Sequence, residues 1–140
     1  MKPSKNKNAD DYLELIYTLS VEGSQGDVRI KEIAKGLRVY PSTATEMVQK
    51  LSEKGMIVHN DYGGVRLTET GIKRAESVLS RHRILECFFV NYLKMDLLEV
   101  QGDICGIEHH LSPAVLLSLY EKLGRPKTCP HGKPIPIGWS

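Results

Sequence analysis

The chain has 140 residues, of which 41% are hydrophobic, and a formal net charge of +2. This length suits one domain or two small ones, and this hydrophobic content is enough for a packed core, which excludes a largely disordered protein. No stretch of the sequence has the length and apolar character of a membrane span, and residues 1–8 have no apolar secretory segment, so we expect a cytoplasmic protein that does not bind membranes.

The first predicted element is a helix that begins near Ala9, after a polar and basic stretch over residues 1–8 that we expect to be disordered. Apolar residues from Leu13 onward fall at helical spacing on one face. Asp11 and Glu14 lie on another side of this helix, at positions i and i+3. They are either a pair of metal donors or an acidic surface at a helix N-terminus, where the helix dipole favours carboxylates.

Two short helices joined by a tight turn are predicted next. The first covers residues 29–37, and the second runs from Pro41 to about Lys54 and is stopped by Gly55. Proline suits the first helical position, and the hydroxyl of Ser42 beside it can satisfy exposed N–H groups there. This pattern is typical of a helix-turn-helix.

A pair of short strands, residues 56–60 and 65–67, follows the second helix, with a Gly-Gly turn between them. A hairpin in this place makes the motif a winged helix-turn-helix. Residues 28–75 hold nine Lys/Arg and five Asp/Glu, a local excess of four positive charges. This excess is a modest indication of a polyanionic partner, although a solvated surface would look similar.

The start of the second helix is rich in hydroxyl side chains, which let a helix approach phosphates closely and still touch base edges. Lys50 and Arg66 can reach phosphates, and Glu46 is either a cytosine reader or a solvated residue. These features favour double-stranded DNA as the partner. The residues predicted to contact DNA are Arg29, Tyr40, Pro41, Ser42, Thr43, Thr45, Glu46, Lys50 and Arg66.

A long helix is predicted from Thr68, which is its cap, to about Leu93, with Tyr92 among its inward residues. Asp96 begins a capping-box pattern for the next helix, which carries residues 105–109.

The last predicted helix is capped by Ser112 and ends near Gly124. Residues 126–140 are rich in proline and glycine and are predicted to form an extended arm. The arm contains Cys129 and His131, and two donors separated by one proline are more typical of a loop than of a metal site.

Cys105, Glu108 and His109 fall at i, i+3 and i+4 of a predicted helix, so we expect them on one face. Their mixed soft and hard donors suit Mn, Fe, Co, Ni or Zn and argue against Ca or Mg; the alternative is a structural cysteine beside surface polar groups. Three ligands are few for a six-coordinate ion, and His82 and Glu86, at i and i+4 on the long helix, are further candidates. The odd number of widely spaced cysteines argues against a disulfide framework.

With these elements placed, nearly the whole chain resembles the DtxR/MntR family of metal-dependent repressors. The segments that carry the resemblance are residues 11–17, 40–42, 47–51, 67–71, 81–82 and 106–112. The resemblance implies a mainly α protein, with a winged helix-turn-helix DNA-binding domain in residues 1–75 and an all-helical metal-binding and dimerisation domain in residues 76–140. It also implies a regulatory metal at their junction, and we expect the chain to lack the SH3-like domain that follows in longer members.

Carried over by position, the resemblance implies the ligands of the manganese-type branch at Asp11, Glu14, His82, Glu108 and His109. Cys105 instead matches the iron-type branch, which has methionine where this chain has Asp11. A second site of the iron type would use His82 and Glu86, with a histidine where this chain has Gln101.

The sequence therefore predicts a homodimeric repressor, not an enzyme, that binds a palindromic DNA operator when it holds Mn(II) or Fe(II), with Co(II), Ni(II) or Zn(II) as substitutes. One alternative is a winged-helix regulator that needs no metal. The other is a zinc hydrolase in which Cys105-x-x-Glu108-His109 is the metal motif and the glutamate is the base.

Overall fold

A computed structural model describes residues 7–23, 26–60 and 64–137. The chain divides into two compact units, Met1–Ala75 and Glu76–Ser140. Of residues 1–8, which are predicted to be disordered, residues 1–6 lie outside the described residues, whereas Asn8 is ordered as the N-cap of α1. Of the predicted turn at residues 61–64, residues 61–63 lie outside them, and Gly64 already begins β3.

The first unit is a winged helix-turn-helix, as predicted. Its elements are α1 (Ala9–Tyr17) with a π-helical continuation (Thr18–Glu22), β1 (Val28–Arg29), α2 (Ile30–Leu37), α3 (Pro41–Glu53), β2 (Ile57–His59) and β3 (Gly64–Leu67). The three strands form an antiparallel sheet in the order β1-β3-β2. Leu13, Ile16 and Val48 are completely buried, so α1 and α3 share the core of this unit.

Local chemistry explains where the helices of this unit begin and end. Asn8 and Asp11 form a reciprocal capping box at the start of α1, with both bonds at 3.0 Å. Arg38, in the left-handed conformation with φ of 57°, ends α2. The predicted capping role of Ser42 is wrong, because Tyr40 is the N-cap of α3 and Ser42 already lies in its first turn.

The second unit begins at Glu76, within the helix α4 (Glu69–Glu86). Its further elements are a π-helical segment (Cys87–Tyr92) that continues α4, and the helices α5 (Leu97–Ile107) and α6 (Pro113–Lys122). Each predicted start is confirmed by a side chain that accepts a backbone N–H: Thr68 for α4, Asp96 for α5 and Ser112 for α6. Among the described helices, none combines the length and apolar character required to cross a bilayer.

Two apolar clusters form the core of the second unit. One joins Ile84, Cys87, Leu116, Tyr120 and Ile135, and the other joins Leu85, Val100 and Ile104. The buried Ile135 corrects the expectation of an extended arm, since residues 126–137 fold back through a bridge between Thr128 and Pro134. The inward placement of Tyr92 is also wrong: it is 57% exposed, because the π-helical segment shifts the helical register.

Candidate functional site

Six metal-donor side chains of the second unit form one continuous row of close contacts. The ring of His82 is at its centre, with Nδ1 2.7 Å from Oε2 of Glu108 and Nε2 3.7 Å from Oε2 of Glu86. At one end, Nε2 of His109 lies 3.3 Å from Oε1 of Glu108. At the other end, Nδ1 of His131 lies 3.3 Å from Oε2 of Glu86, and Sγ of Cys129 lies 4.0 Å from the same His131 nitrogen.

The two carboxylates of this row are almost completely buried. Glu86 is 3% exposed and Glu108 is 4% exposed. A buried carboxylate is costly unless a cation or several hydrogen bonds compensate it. Here the facing groups are imidazoles, which are themselves metal ligands when neutral, so the arrangement fits a divalent cation held between carboxylates and imidazoles.

Glu86, Cys129 and His131 are the one group of three or more such donors, within the described parts of the chain, whose ligand atoms all lie within 4.8 Å of one another. Thiolate, imidazole and carboxylate together suit Mn, Fe, Co or Zn in the 2+ state. The sequence assigned Glu86 to a second site but left Cys129 and His131 in a loop. The sequence held a signal, because Cys129 and His131 are two metal-donor side chains only two residues apart. Their proximity to Glu86 could not be predicted, because it depends on the folding of the arm onto α4.

The arm that carries Cys129 and His131 is held against α4 and its π-helical continuation by three hydrogen bonds to the backbone of the arm. Ser80 donates to the carbonyl of Pro136 (2.6 Å), Arg83 to that of Pro134 (2.5 Å), and the Cys87 thiol to that of Thr128 (3.5 Å). Burial is the main cause that raises the pKa of Cys87 to about 11, and the negative charges of Cys129 and Glu86, when ionised, raise it further. Cys87 is therefore a protonated packing residue that holds the arm.

The predicted trio of Cys105, Glu108 and His109 lies at the end of α5 rather than along it. The helix ends at Ile107, Glu108 is its C-cap, and His109 follows in a turn. Cys105 is exposed on the last turn of α5, whereas Glu108 faces inward. Arg81 donates to the carbonyl of Leu111 (2.7 Å), which anchors the turn that presents Glu108 and His109.

Asp11 and Glu14 belong to the first unit, where they line a cleft of about 230 Å³ with Lys7 and Thr18. Oδ2 of Asp11 accepts the backbone N–H of Asn8, so this carboxylate is partly used by the cap of α1.

The residues predicted to contact DNA are mostly exposed, as an interface requires. Ser42, Thr45, Glu46 and Lys50 project from α3, and Tyr40 at its N-cap is 46% exposed. The Thr45 hydroxyl donates to the Pro41 carbonyl at 2.9 Å, so it offers its oxygen outward as an acceptor. Arg66 is exposed on β3, and Arg29 is exposed at the start of α2.

Two family models match the chain in succession. Residues 6–65 match the model described as iron dependent repressor, N-terminal DNA binding domain. Residues 68–137 match the model described as iron dependent repressor, metal binding and dimerisation domain.

Individual proteins give the same picture. The chain is 40% identical over 103 residues to the HTH-type transcriptional regulator MntR of Lysinibacillus sphaericus. The matched stretch covers 74% of this chain and 72% of that protein. It superposes on the structure of the manganese regulator SloR with a TM-score of 0.82 and 32% identity, over 100% of this chain and 62% of that one. It also superposes on the structure of a manganese-dependent transcriptional repressor in complex with manganese. The TM-score is 0.83 and the sequence identity 40%, over 93% of this chain and 59% of that one. The chain thus spans about three fifths of the length of these two solved structures.

Proposed function

We propose, since this chain belongs to the DtxR/MntR family of metal-dependent repressors, that it is a DNA-binding transcriptional repressor activated by Mn(II) or Fe(II). The observation that carries the proposal is the row of buried carboxylates and imidazoles in the same chain as an exposed, hydroxyl-rich recognition helix. The same mixture of carboxylate, imidazole and thiolate donors also accommodates Co(II), Ni(II) and Zn(II), which we propose as substitute metals.

Two metal-binding positions are proposed along the donor row. The first would be held by Glu108, His109 and His82, with Asp11, Glu14 and Cys105 as the further ligands that the family resemblance implies. The second would be held by Glu86, Cys129 and His131. When bound, the ions supply the positive charge that two buried carboxylates require.

His82 is the residue that both positions could use. A neutral imidazole has one lone pair, so its ring can coordinate one metal through one nitrogen while the other nitrogen keeps its proton. Since Nδ1 faces Glu108 and Nε2 faces Glu86, a metal on either side leaves the other carboxylate as the hydrogen-bond acceptor of His82. Such a partner fixes the tautomer and orientation of a ligating histidine.

The proposed partner is a palindromic duplex read by two copies of the chain in the cytoplasm. Lys50 and Arg66 would contact phosphates, and the hydroxyls of α3 would approach base edges. A dimer reading two half-sites must present its recognition helices at a fixed separation. Metal that binds the DNA-competent state more tightly than other states shifts the population toward it.

The second unit also offers a surface for the second copy. A mostly apolar cleft of about 540 Å³ runs along α6, lined by Ala114, Val115, Ser118, Leu119 and Lys122. Leu98 on α5 is 80% exposed and Val115 is 48% exposed. An exposed cleft lined mostly by apolar side chains is typical of an interaction surface, and a two-fold axis lets the same surface pair with itself.

The test is a metal titration followed by DNA binding. The protein would first enrich a duplex from a random library in the presence of Mn(II), and its affinity for that duplex would then be measured with Mn, Fe, Co and Zn under anaerobic conditions. Metal-dependent binding to a duplex with inverted half-sites supports the proposal. Equal binding in the presence of a chelator would favour the metal-independent regulator instead.

The zinc hydrolase alternative would need Glu108 as a base beside the metal. Oε2 of Glu108 lies 2.7 Å from His82, and Oε1 lies 3.3 Å from His109, so both of its oxygens are directed at other metal donors. This geometry favours Glu108 as a ligand.

A further inference from the structure

A carboxylate outside the predicted DNA-contacting set lies beside the wing, by which we mean the paired strands β2 and β3. The register pairs Arg29 of β1 with Gly64 of β3. Continuing this antiparallel ladder by two residues in each strand brings Asp27 opposite Arg66. Opposite charges in facing positions of neighbouring strands stabilise the pairing.

Asp27 contacts the wing in two places. Its Oδ1 accepts a hydrogen bond from Nε of Arg66 at 3.1 Å, and its Oδ2 accepts one from Nδ2 of Asn60 at 2.7 Å. Oδ1 of Asn60 in turn accepts the backbone N–H of Gly64 at 3.1 Å. One carboxylate therefore binds both Asn60, which directly follows β2, and Arg66 of β3.

Gly64 makes room for this carboxylate. A Cβ atom at position 64 would lie 2.7 Å from Oδ2 and 2.8 Å from Cβ of Asp27, closer than van der Waals contact allows. The glycine is needed for this approach, since Gly64 of β3 is paired with Arg29 and lies directly beside Asp27.

We propose that Asp27 is a positioning residue for DNA binding, which fixes Arg66 of β3 in the geometry that meets the phosphate backbone. This inference rests on the proposed function, in which Arg66 contacts DNA. Because Asp27 takes the Nε donor, the terminal N–H groups of the guanidinium remain for phosphate. The tether also reduces the side-chain entropy that Arg66 loses when DNA binds.

Charge alone predicts the opposite effect from positioning, which makes the proposal testable. Asp27→Asn raises the net charge by one, so an acid with no positioning role would only repel DNA and its loss would strengthen binding. If Asp27 positions Arg66, Asp27→Asn weakens binding by about two- to fivefold, the scale of one exposed ion pair. Glu53→Gln is the matched control, because Glu53 is an exposed acid at the end of α3, and its loss should leave affinity unchanged or raise it.

A double-mutant cycle assigns the effect to Arg66. Affinity and salt dependence would be measured on the duplex enriched by the wild-type protein with Mn(II). Arg66→Ala should lower the slope of log affinity against log salt by about one. In that background Asp27→Asn should cause no further loss of affinity, because the two residues act as a unit. Equal losses with and without Arg66 would overturn the proposal.

Gly64→Ala displaces Asp27 without changing any charge. We expect it to weaken DNA binding about as much as Asp27→Asn, at unchanged helical circular dichroism.

A readout without DNA covers the case in which this variant folds poorly: in the wild type, NMR should show the Arg66 Nε–H protected from solvent exchange, and in Asp27→Asn that protection should be lost. Equal exchange in both, or stronger DNA binding by Asp27→Asn, would overturn the inference. Failure of the wild type to enrich any duplex would overturn the proposed function, and the NMR comparison would still decide whether Asp27 holds Arg66.

Discussion

Cys105 and Cys129 differ in their surroundings more than in their chemistry. Cys129 is 5% exposed and lies in a three-donor group, whereas Cys105 is exposed on the last turn of α5. Thiolate ligation gives bound Co(II) a sulfur charge-transfer absorption, so the two thiols can be distinguished by substitution.

We expect Cys129→Ser to remove the sulfur–Co(II) absorption of the second position, and Cys105→Ser to remove that of the first. The double variant should show none. Because a ligating thiol must lose its proton, both absorptions should weaken as the pH falls. The spectra of the two single variants, titrated with Co(II) under anaerobic conditions, check this.

A spectrum unchanged by Cys105→Ser would show that Cys105 is not a ligand. The first position would then consist of Asp11, Glu14, His82, Glu108 and His109.

Cys87 should resist alkylation in the folded protein. Its pKa of about 11, raised by burial from an ordinary 9.0, leaves only about one thiol in a thousand ionised at pH 8. Its alkylation rate should rise about tenfold per pH unit up to pH 11. The raised pKa also means that stability is lost as the pH climbs from 9 toward 11, since the folded state holds this proton more tightly. Mass spectrometry after timed iodoacetamide treatment measures the rates, and rapid labelling of Cys87 at pH 8 would contradict the burial.

At the scale of elements, the arm carries two of the three donors, Cys129 and His131, of the second proposed metal position. Ile135 is 5% exposed and packs with Ile84 and Leu116, while Ile137 is 66% exposed. Ile135→Ala should lower the free energy of unfolding by about 2–5 kcal/mol, because it leaves a cavity. It should also weaken metal binding at the position that uses Cys129.

The matched control is Ile137→Ala, which removes the same atoms from a surface residue. It should change stability by less than about 0.5 kcal/mol. Urea denaturation at one fixed protein concentration compares the two variants, and equal losses would mean that Ile135 does not hold the arm.

Two helical glycines should respond to alanine in opposite ways. A Cβ at Gly71 would collide with the carbonyl oxygen of Met56, whereas nothing lies within 4 Å of one at Gly102. Gly102→Ala should therefore stabilise the protein by about 0.5–1 kcal/mol through helix propensity. Gly71→Ala should destabilise it by about 1–3 kcal/mol through overpacking. Thermal unfolding midpoints measure both, and stabilisation by Gly71→Ala would contradict the close approach of α4 to Met56.

Helix starts could be predicted from the sequence because they depend on neighbouring residues. Thr68, Asp96 and Ser112 each cap a helix from a position within three residues of the N–H that they accept. The strand β1 was missed, since its two residues are defined by pairing with β3 and not by any local pattern. The register of the π-helical segment, which exposes Tyr92, likewise depends on tertiary packing.

The same distinction holds for the metal donors. His82 and Glu86 are one helical turn apart, so their proximity could be predicted from spacing. The contact between Glu86 and His131 could not, because it requires the arm to fold back onto α4 through bonds from Ser80 and Arg83 to carbonyls near its end.

At the scale of the whole molecule, the apolar cleft of α6 predicts which substitutions should dissociate the proposed homodimer. Val115→Asp would place a charge among the residues that line the cleft and should shift the protein to monomers, because burying an unpaired carboxylate in an interface is unfavourable. Val58→Asp is the control, since Val58 is 54% exposed on the wing. Sedimentation velocity at micromolar concentration distinguishes them, and dissociation by Val58→Asp alone would place the interface elsewhere.

The pairing of Val28 with Val65 also constrains how fast the first unit folds. These partners are separated along the chain by two entire helices, α2 and α3. Bringing such distant segments together costs chain entropy before any bond is formed, so local elements form first and the three-stranded sheet closes late. Substitutions that loosen β1 should therefore accelerate unfolding while leaving the folding rate nearly unchanged. The lifetime of the three-stranded sheet, rather than the speed of its formation, would then set how often the first unit opens.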